Sequence, residues 1–242
     1  MTTTTQEQRN QSERIRALSF ISPGLLWTLI FFLVPLLIML TYSFWGFQTG
    51  DVVRQFTFQN YTDFATRAAL RRALYNSLEV AVAVTITSVI LAYPVAYIIA
   101  YVVPPRWQRL ALLMAVLPFW TSYVVRSYSW LLILTRNGLI GQAMEAVGLE
   151  PVSLANSRTG TIIGFVHFFV MLLTLTIYAN LVQIAPNYRR AAADLGASPW
   201  QAFVEVVLPL SIPGIAVGAF LTFVLCVGDY ITPAILGGNN EL

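Results

Sequence analysis

The chain has 242 residues and a formal net charge of +3, with 57% of its residues hydrophobic and only 10% charged. A soluble domain is about one quarter charged, so this chain has too little polar surface to cover itself in water and belongs in a bilayer. Every basic side chain is Arg, and the single Cys226 excludes an internal disulfide.

A span needs about 20 apolar residues to cross the hydrocarbon core. Residues 1–17 are rich in Thr, Gln and Arg and are expected to be a disordered tail. No charge occurs from Ala17 to Gly50, which places a first span within Leu18–Phe44, in a segment assigned to 18–47. The run is too long for a leader core and lacks a small-residue cleavage site, so the span is expected to be retained. Pro23 and Pro35 lie inside it, and Trp45 and Phe47 form an interfacial belt. Residues 48–72 read as a polar loop whose run Phe56–Leu74 holds a short amphipathic helix.

The second span runs from about Leu74 to Val103, with Glu79 near its start and Pro94 inside, and ends in the basic turn from Pro104 to Arg109. Glu79 is placed to snorkel or to pair with Arg72. The third span begins near Leu110 and includes Pro118, Trp120 and Arg126. Arg126, among Tyr123, Tyr128 and Trp130, fits either an aromatic belt or a gate. Asn137-Gly138, Gly148 and Pro151 break the loop 135–158, within which Leu139–Val147 predicts a short helix. The fourth span covers about Gly160–Ile184 and carries the only histidine, His167, read as a packing or hydrogen-bonding residue.

Between the fourth span and a fifth at about Ile212–Leu236 lies the polar stretch Tyr188–Pro213. Ala191, Ala192 and Ala193 favour a helix, which Gly196 ends. Ser198, Pro199 and Gln201 then restart it with an N-cap, a proline at the first helical position and a capping box. The second helix is expected to stop or kink near Pro209. The fifth span carries Asp229 about 17 residues in, followed by Tyr230 and Pro233. A carboxylate at that depth needs water, a donor or a cation. It reads either as a structural partner of Arg126 or a hydroxyl, or as a cation contact walled by Trp120 and Tyr123.

At the spacing Ala191, Ala192, Gly196, Val206, Leu208, Pro209, this stretch resembles the cytoplasmic coupling loop of binding-protein-dependent ABC importer permeases, the EAA loop. Arg190 stands where that family usually has Glu. Leu117–Gln142 and Gly228–Gly238 resemble the spermidine/putrescine branch, while Asn76-Ser77 and Tyr93-Pro94 fit the wider family. The resemblance covers most of residues 70–238. It implies an all-α polytopic membrane protein with the type I importer bundle over 70–242 and a coupling loop at 186–210. Five spans are present in the sequence and the resemblance implies a sixth, so the expectation is a fragment, a truncated product or a partial gene model.

The implied coupling residues are Arg190, Ala191, Ala192, Asp194, Leu195, Gly196, Ala197, Phe203, Val206, Leu208 and Pro209. The implied path or gate residues are Pro118, Trp120, Tyr123, Arg126, Asp229 and Tyr230. The implied partners are ABC ATPase subunits, a second permease subunit and an extracytoplasmic solute-binding protein. Placing the coupling loop on the ATP-containing side puts the N-terminus in the cytoplasm of a cell with a bacterial-type inner membrane. Arginines alone are nearly balanced between the two sides and do not orient the chain.

Other chemistries fail on residue types. The chain has no lysine and no Gly-x-x-x-x-Gly-Lys-Ser/Thr loop, so ATP hydrolysis is expected on a partner. One His and one Cys cannot form the usual zinc site, and no cofactor or metal is called for. His167 without a Gly-x-Ser-x-Gly elbow does not make a serine hydrolase. Arg189 and Arg190 alone do not supply the basic surface that nucleic acid requires. The expected function is ATP-driven import of a small solute of the polyamine class. An ATP-independent carrier or channel is the rival, separated by co-purification of an ATPase subunit.

Overall fold

The computed structural model describes residues 19–48 and 51–238. The expected disordered tail 1–17 lies outside them, as do the loop residues Asn239 and Asn240 and the side chain of the interfacial Phe47. The chain divides between Arg71 and Arg72 into two compact units.

The first unit holds α1 (Ser19–Ser43), a hairpin of β1 (Trp45–Gln48) and β2 (Asp51–Phe56), and α2 (Gln59–Thr66). Pro35 follows a π turn over Leu29–Leu33, which lets the helix continue past the missing proline donor. Residues 48–72 are thus not simply the polar loop expected. The two strands pair antiparallel, with Phe47 opposite Val52 and Gly46 opposite Val53, and Phe44, Phe56, Phe58 and Tyr61 form one aromatic cluster. The Asn60 amide binds the carbonyls of Ser43 and Trp45, each at 2.9 Å, and ties α2 to the hairpin.

The long helix α3 (Ala68–Tyr101) leads into the second unit. It is followed by α4 (Pro105–Val116), a 3₁₀ turn at Leu117–Trp120, α5 (Tyr123–Leu134) and α6 (Leu139–Ala146). Then come α7 (Arg158–Leu181), α8 (Pro186–Asp194), α9 (Pro199–Ala202), α10 (Leu208–Gly228) and α11 (Ile231–Leu236). Helix α7 is central: Phe165, Phe169, Leu173, Ile177 and Leu181 are buried at four-residue intervals. Val80, Ala81 and Val84 of α3 meet its first half, and Ala92, Tyr93 and Ala96 its second.

Helix α10 packs closely on α7 through small residues. A Cβ on Gly214 would lie 2.4 Å from Asn180, and one on Gly218 2.6 Å from Thr176. Close backbone approach is how helices associate where no hydrophobic drive separates them from lipid.

Among the described residues, four helices are long and apolar enough to cross a membrane: Ser19–Ser43, Ala68–Tyr101, Arg158–Leu181 and Pro199–Gly228. The third expected span is instead a broken pair, Pro105–Trp120 and Tyr123–Ala146, bent by 89°. Pro118 and the extended backbone at Thr121 and Ser122 make the break.

The fifth expected span is also shorter than its apolar run. Helix α10 stops at Gly228, and Asp229 adopts an extended conformation with φ −92° and ψ 123°. Its carboxylate accepts the Ile231 N–H at 2.8 Å in an Asx turn just before α11, a local bond that competes with helix continuation. Pro209 does not stop the preceding helix. A π turn over Phe203–Val207 contains the carbonyl four residues before it, and Leu208 bonds back to Phe203 in the wider i+5 pattern.

Candidate functional site

The stretch from Pro186 to Pro209 is a helical hairpin held by its own caps. The Ala197 N–H bonds the Ala192 carbonyl at 3.0 Å and the Gly196 N–H bonds that of Ala193 at 2.9 Å, the paired pattern of a Schellman motif. Gly196 has φ +86°, a left-handed conformation that glycine adopts without a side-chain clash. The Ser198 hydroxyl accepts the Gln201 N–H at 3.2 Å while the Gln201 side chain accepts the Ser198 N–H at 2.8 Å. The predicted capping box is therefore present, with Pro199 at the first helical position.

These caps satisfy the loop's backbone internally and leave side chains free at its tip. Leu195 is 90% exposed and Trp200 71%. Arg190, Ala191 and Asp194 are also exposed, whereas Ala192 and Ala197 are half-buried. The other end is anchored, with Val207 fully buried and Phe203, Val206 and Leu208 partly so, while Pro209 is exposed.

The anchor is an aromatic ladder on α3 that the sequence reading did not single out. Tyr93, Tyr97 and Tyr101 fall at four-residue intervals, one helical face. The Phe203 ring lies 5.9 Å from Tyr93, 5.3 Å from Tyr97 and 5.3 Å from Trp200. The Arg189 guanidinium sits 4.5 Å from the centre of the Tyr101 ring, and the Tyr101 hydroxyl donates to the Leu181 carbonyl at 2.9 Å. The Tyr93 hydroxyl meets that of Ser211 at 3.0 Å. The hairpin is thereby joined to α3, α7 and α10. The four-residue tyrosine spacing was the available signal.

The residues expected along a path separate into two groups. Tyr123 and Thr232 both donate to the Asp229 carboxylate, the Thr232 hydroxyl at 2.8 Å. The break in the third span is thus tied to the break after α10. Arg126 is buried, its Nη1 donating to the Pro118 carbonyl at 3.2 Å and its guanidinium carbon lying 4.6 Å from the centre of the Phe168 ring and 5.4 Å from that of the Tyr123 ring.

Among the described residues no carboxylate pairs with Arg126, so the partners of Asp229 are hydroxyls and a backbone N–H. Trp120 is 83% exposed and Tyr230 75%, so Trp120 does not wall Asp229 as expected. Glu79 pairs not with Arg72 but with Arg158, at 2.8 Å, because α7 begins beside it. His167 accepts the Trp130 indole N–H at 3.1 Å, a structural hydrogen bond between α7 and α5.

The sequence signature of the family described as "Binding-protein-dependent transport system inner membrane component" matches residues 16–242. The chain is 38% identical over 135 residues to the inner membrane ABC transporter permease protein YdcU of Escherichia coli K12, covering 50% of this chain and 43% of that protein. It is 31% identical over 142 residues to the spermidine/putrescine transport system permease protein PotB of Haemophilus influenzae, covering 58% of this chain and 50% of that one. A probable sulfate transport system permease of Chlorokybus atmophyticus is 28% identical over 123 residues, covering 51% of this chain and 42% of that protein.

The chain therefore spans about half the length of these curated relatives. A crystal structure of a bacterial ABC transporter involved in alginate import superposes with a TM-score of 0.78 at 19% identity, over 98% of this chain and 82% of that one. The chain belongs to the family of binding-protein-dependent transport system inner membrane components, with the fold of an ABC importer's transmembrane domain.

Proposed function

We propose that the chain is a membrane-spanning subunit of an ATP-driven importer in a bacterial-type inner membrane, with its N-terminus in the cytoplasm. In this reading the hairpin at 186–210 docks on a separate ATPase subunit. The observation that carries it is a hairpin capped from within, exposing Leu195 and Trp200 at one end and anchored by Phe203 at the other.

Movement of the docked ATPase would act on Phe203 and Arg189, and through them on Tyr93, Tyr97 and Tyr101 of α3. The ATPase shifts the bundle only by its different affinity for the two arrangements. A second permease subunit completes the path, and an extracytoplasmic binding protein delivers the solute. Pro118, Trp120, Tyr123, Arg126, Asp229 and Tyr230 form or border the gate, with Tyr123–Asp229 joining the two broken spans. Likeness to the PotB relatives supports a polyamine as the solute class.

The test is reconstitution of the chain with its partner subunits in proteoliposomes, followed by uptake of labelled spermidine and putrescine with and without ATP. Co-purification of an ATPase and ATP-dependent uptake are expected. Uptake that proceeds equally without ATP or an ATPase subunit would favour a carrier and overturn the reading.

A further inference from the structure

We infer that a cavity of about 280 Å³ at the end of the bundle away from the coupling hairpin binds an alkylammonium group. Its walls come from Asn76 and Ser77 on α3, Thr161 and Phe165 on α7, and Asp229 and Tyr230 at the break after α10. Ser77 lies 16 residues before Tyr93 on one continuous helix, about 24 Å at 1.5 Å per residue. The site is thus distinct from the docking hairpin. Its place on a solute path rests on the import reading, whereas binding itself does not.

Three features select an ammonium. Asp229 is the only charged residue in the lining. The arginines placed to neutralise it are committed elsewhere: Arg126 to the Pro118 carbonyl and two rings, and Arg158 to Glu79. Asp229 is held by Ile231, Thr232 and Tyr123, all neutral donors, so its negative charge is fixed in place but not cancelled. A carboxylate accepts about four hydrogen bonds, which leaves room for one more donor.

The hydroxyls of the lining point the same way. Ser77 donates its proton to the Ala73 carbonyl at 3.0 Å, and Thr161 donates to the Ser157 carbonyl at 3.2 Å. With their protons used on their own helices, both present lone pairs to the cavity. These two acceptors beside Asp229 suit a group made only of donors, and an ammonium has three donors and no acceptor.

The apolar part of the wall then separates an alkylammonium from a bare cation. Phe165, Tyr230 and Val80 contribute aromatic and aliphatic groups to the lining. A methylene chain is stabilised by these surfaces, whereas a hydrated metal ion is not. The ammonium has two possible sources, a free amine solute and a phosphatidylethanolamine headgroup.

The experiment measures equilibrium binding of labelled putrescine, without ATP, to the assembled importer in nanodiscs of phosphatidylglycerol alone. A second arm adds phosphatidylethanolamine and assays lipid that co-purifies. Saturable putrescine binding is expected, unaffected by succinate, and weakened about tenfold or more by Asp229→Asn through loss of a charge-assisted bond.

Thr161→Val and Ser77→Ala leave the hydrogen bonds to Asp229 in place. They are expected to weaken binding several-fold, and they keep the test valid if Asp229→Asn does not assemble. Retention of phosphatidylethanolamine that is lost in the same variants supports the site with lipid as its source. Putrescine affinity and retained lipid unchanged in Thr161→Val and in an assembled Asp229→Asn overturn it, as does displacement by potassium ions as effective as by putrescine. Normal binding with no ATP-dependent uptake would sink the import reading and leave the site standing. Normal uptake with no amine binding would do the reverse.

Discussion

Replacing Gly196 isolates the conformation of the coupling hairpin from its packing. A Cβ built on this residue meets nothing within 4 Å, so steric crowding contributes nothing to the outcome. The whole cost comes from holding a side chain at φ +86°. A left-handed non-glycine residue costs about 1–3 kcal/mol, least for Asn and most for β-branched residues.

If only the turned hairpin docks, apparent affinity for the ATPase falls with the fraction of molecules in that state. A cost of about 1–3 kcal/mol corresponds to about 5–150-fold. The expected order of affinity is Gly196, then Gly196→Asn, Gly196→Ala and Gly196→Val, with Val at the weak end of that range. The assay titrates the ATPase subunit against the permease in nanodiscs and measures transport-coupled hydrolysis beside it. Normal docking and transport by Gly196→Val, or tighter docking by Val than by Asn, would refute the reasoning.

Four further outcomes are expected. Ser198→Ala removes the side-chain half of the capping box and should cost about 0.5–2 kcal/mol at the hairpin; faster proteolysis near Pro199 measures it, and an unchanged rate counts against the cap's role. Tyr123→Phe leaves Asp229 with two donors instead of three and should lower stability by about 1.5–3 kcal/mol, the range for hydrogen bonds to charged groups; an unchanged thermal midpoint would mean the two span breaks are not linked this way. Gly218→Val places a Cβ 2.6 Å from the Thr176 hydroxyl and 2.7 Å from Leu173, so overpacking of about 1–3 kcal/mol should appear as reduced yield and a lower midpoint. Glu79→Gln should change stability by no more than about 1 kcal/mol, because the Glu79 side chain is 70% exposed in its pair with Arg158; a large drop in the thermal midpoint would show that the pair is shielded in the membrane.

What the sequence by itself determined is what depends on neighbours along the chain. Scarce charge and long apolar runs dictate a membrane protein, since each run must find hydrocarbon. The hairpin was legible almost atom by atom, because Ala191–Ala193, Gly196, Ser198, Pro199 and Gln201 act through bonds spanning five residues or fewer. The short helix after Gly138 was legible for the same reason.

Tertiary structure decided the rest. Apolar composition is blind to a broken span, so the 89° bend after Trp120 and the end of α10 at Gly228 read as continuous helix in sequence. Partner choice was equally hidden. Asp229 meets Tyr123 across 106 positions, and Glu79 meets Arg158 rather than Arg72 because α7 starts beside α3. Tyr93 and Tyr97 of α3 meet Phe203 across more than 100 positions of the chain, a contact made by the folded hairpin. In each case a group took the partner that folding brought within reach, and for the buried Tyr123–Asp229 pair the reason is that a polar group left unpaired away from water is costly; that proximity is not written in the order of residues.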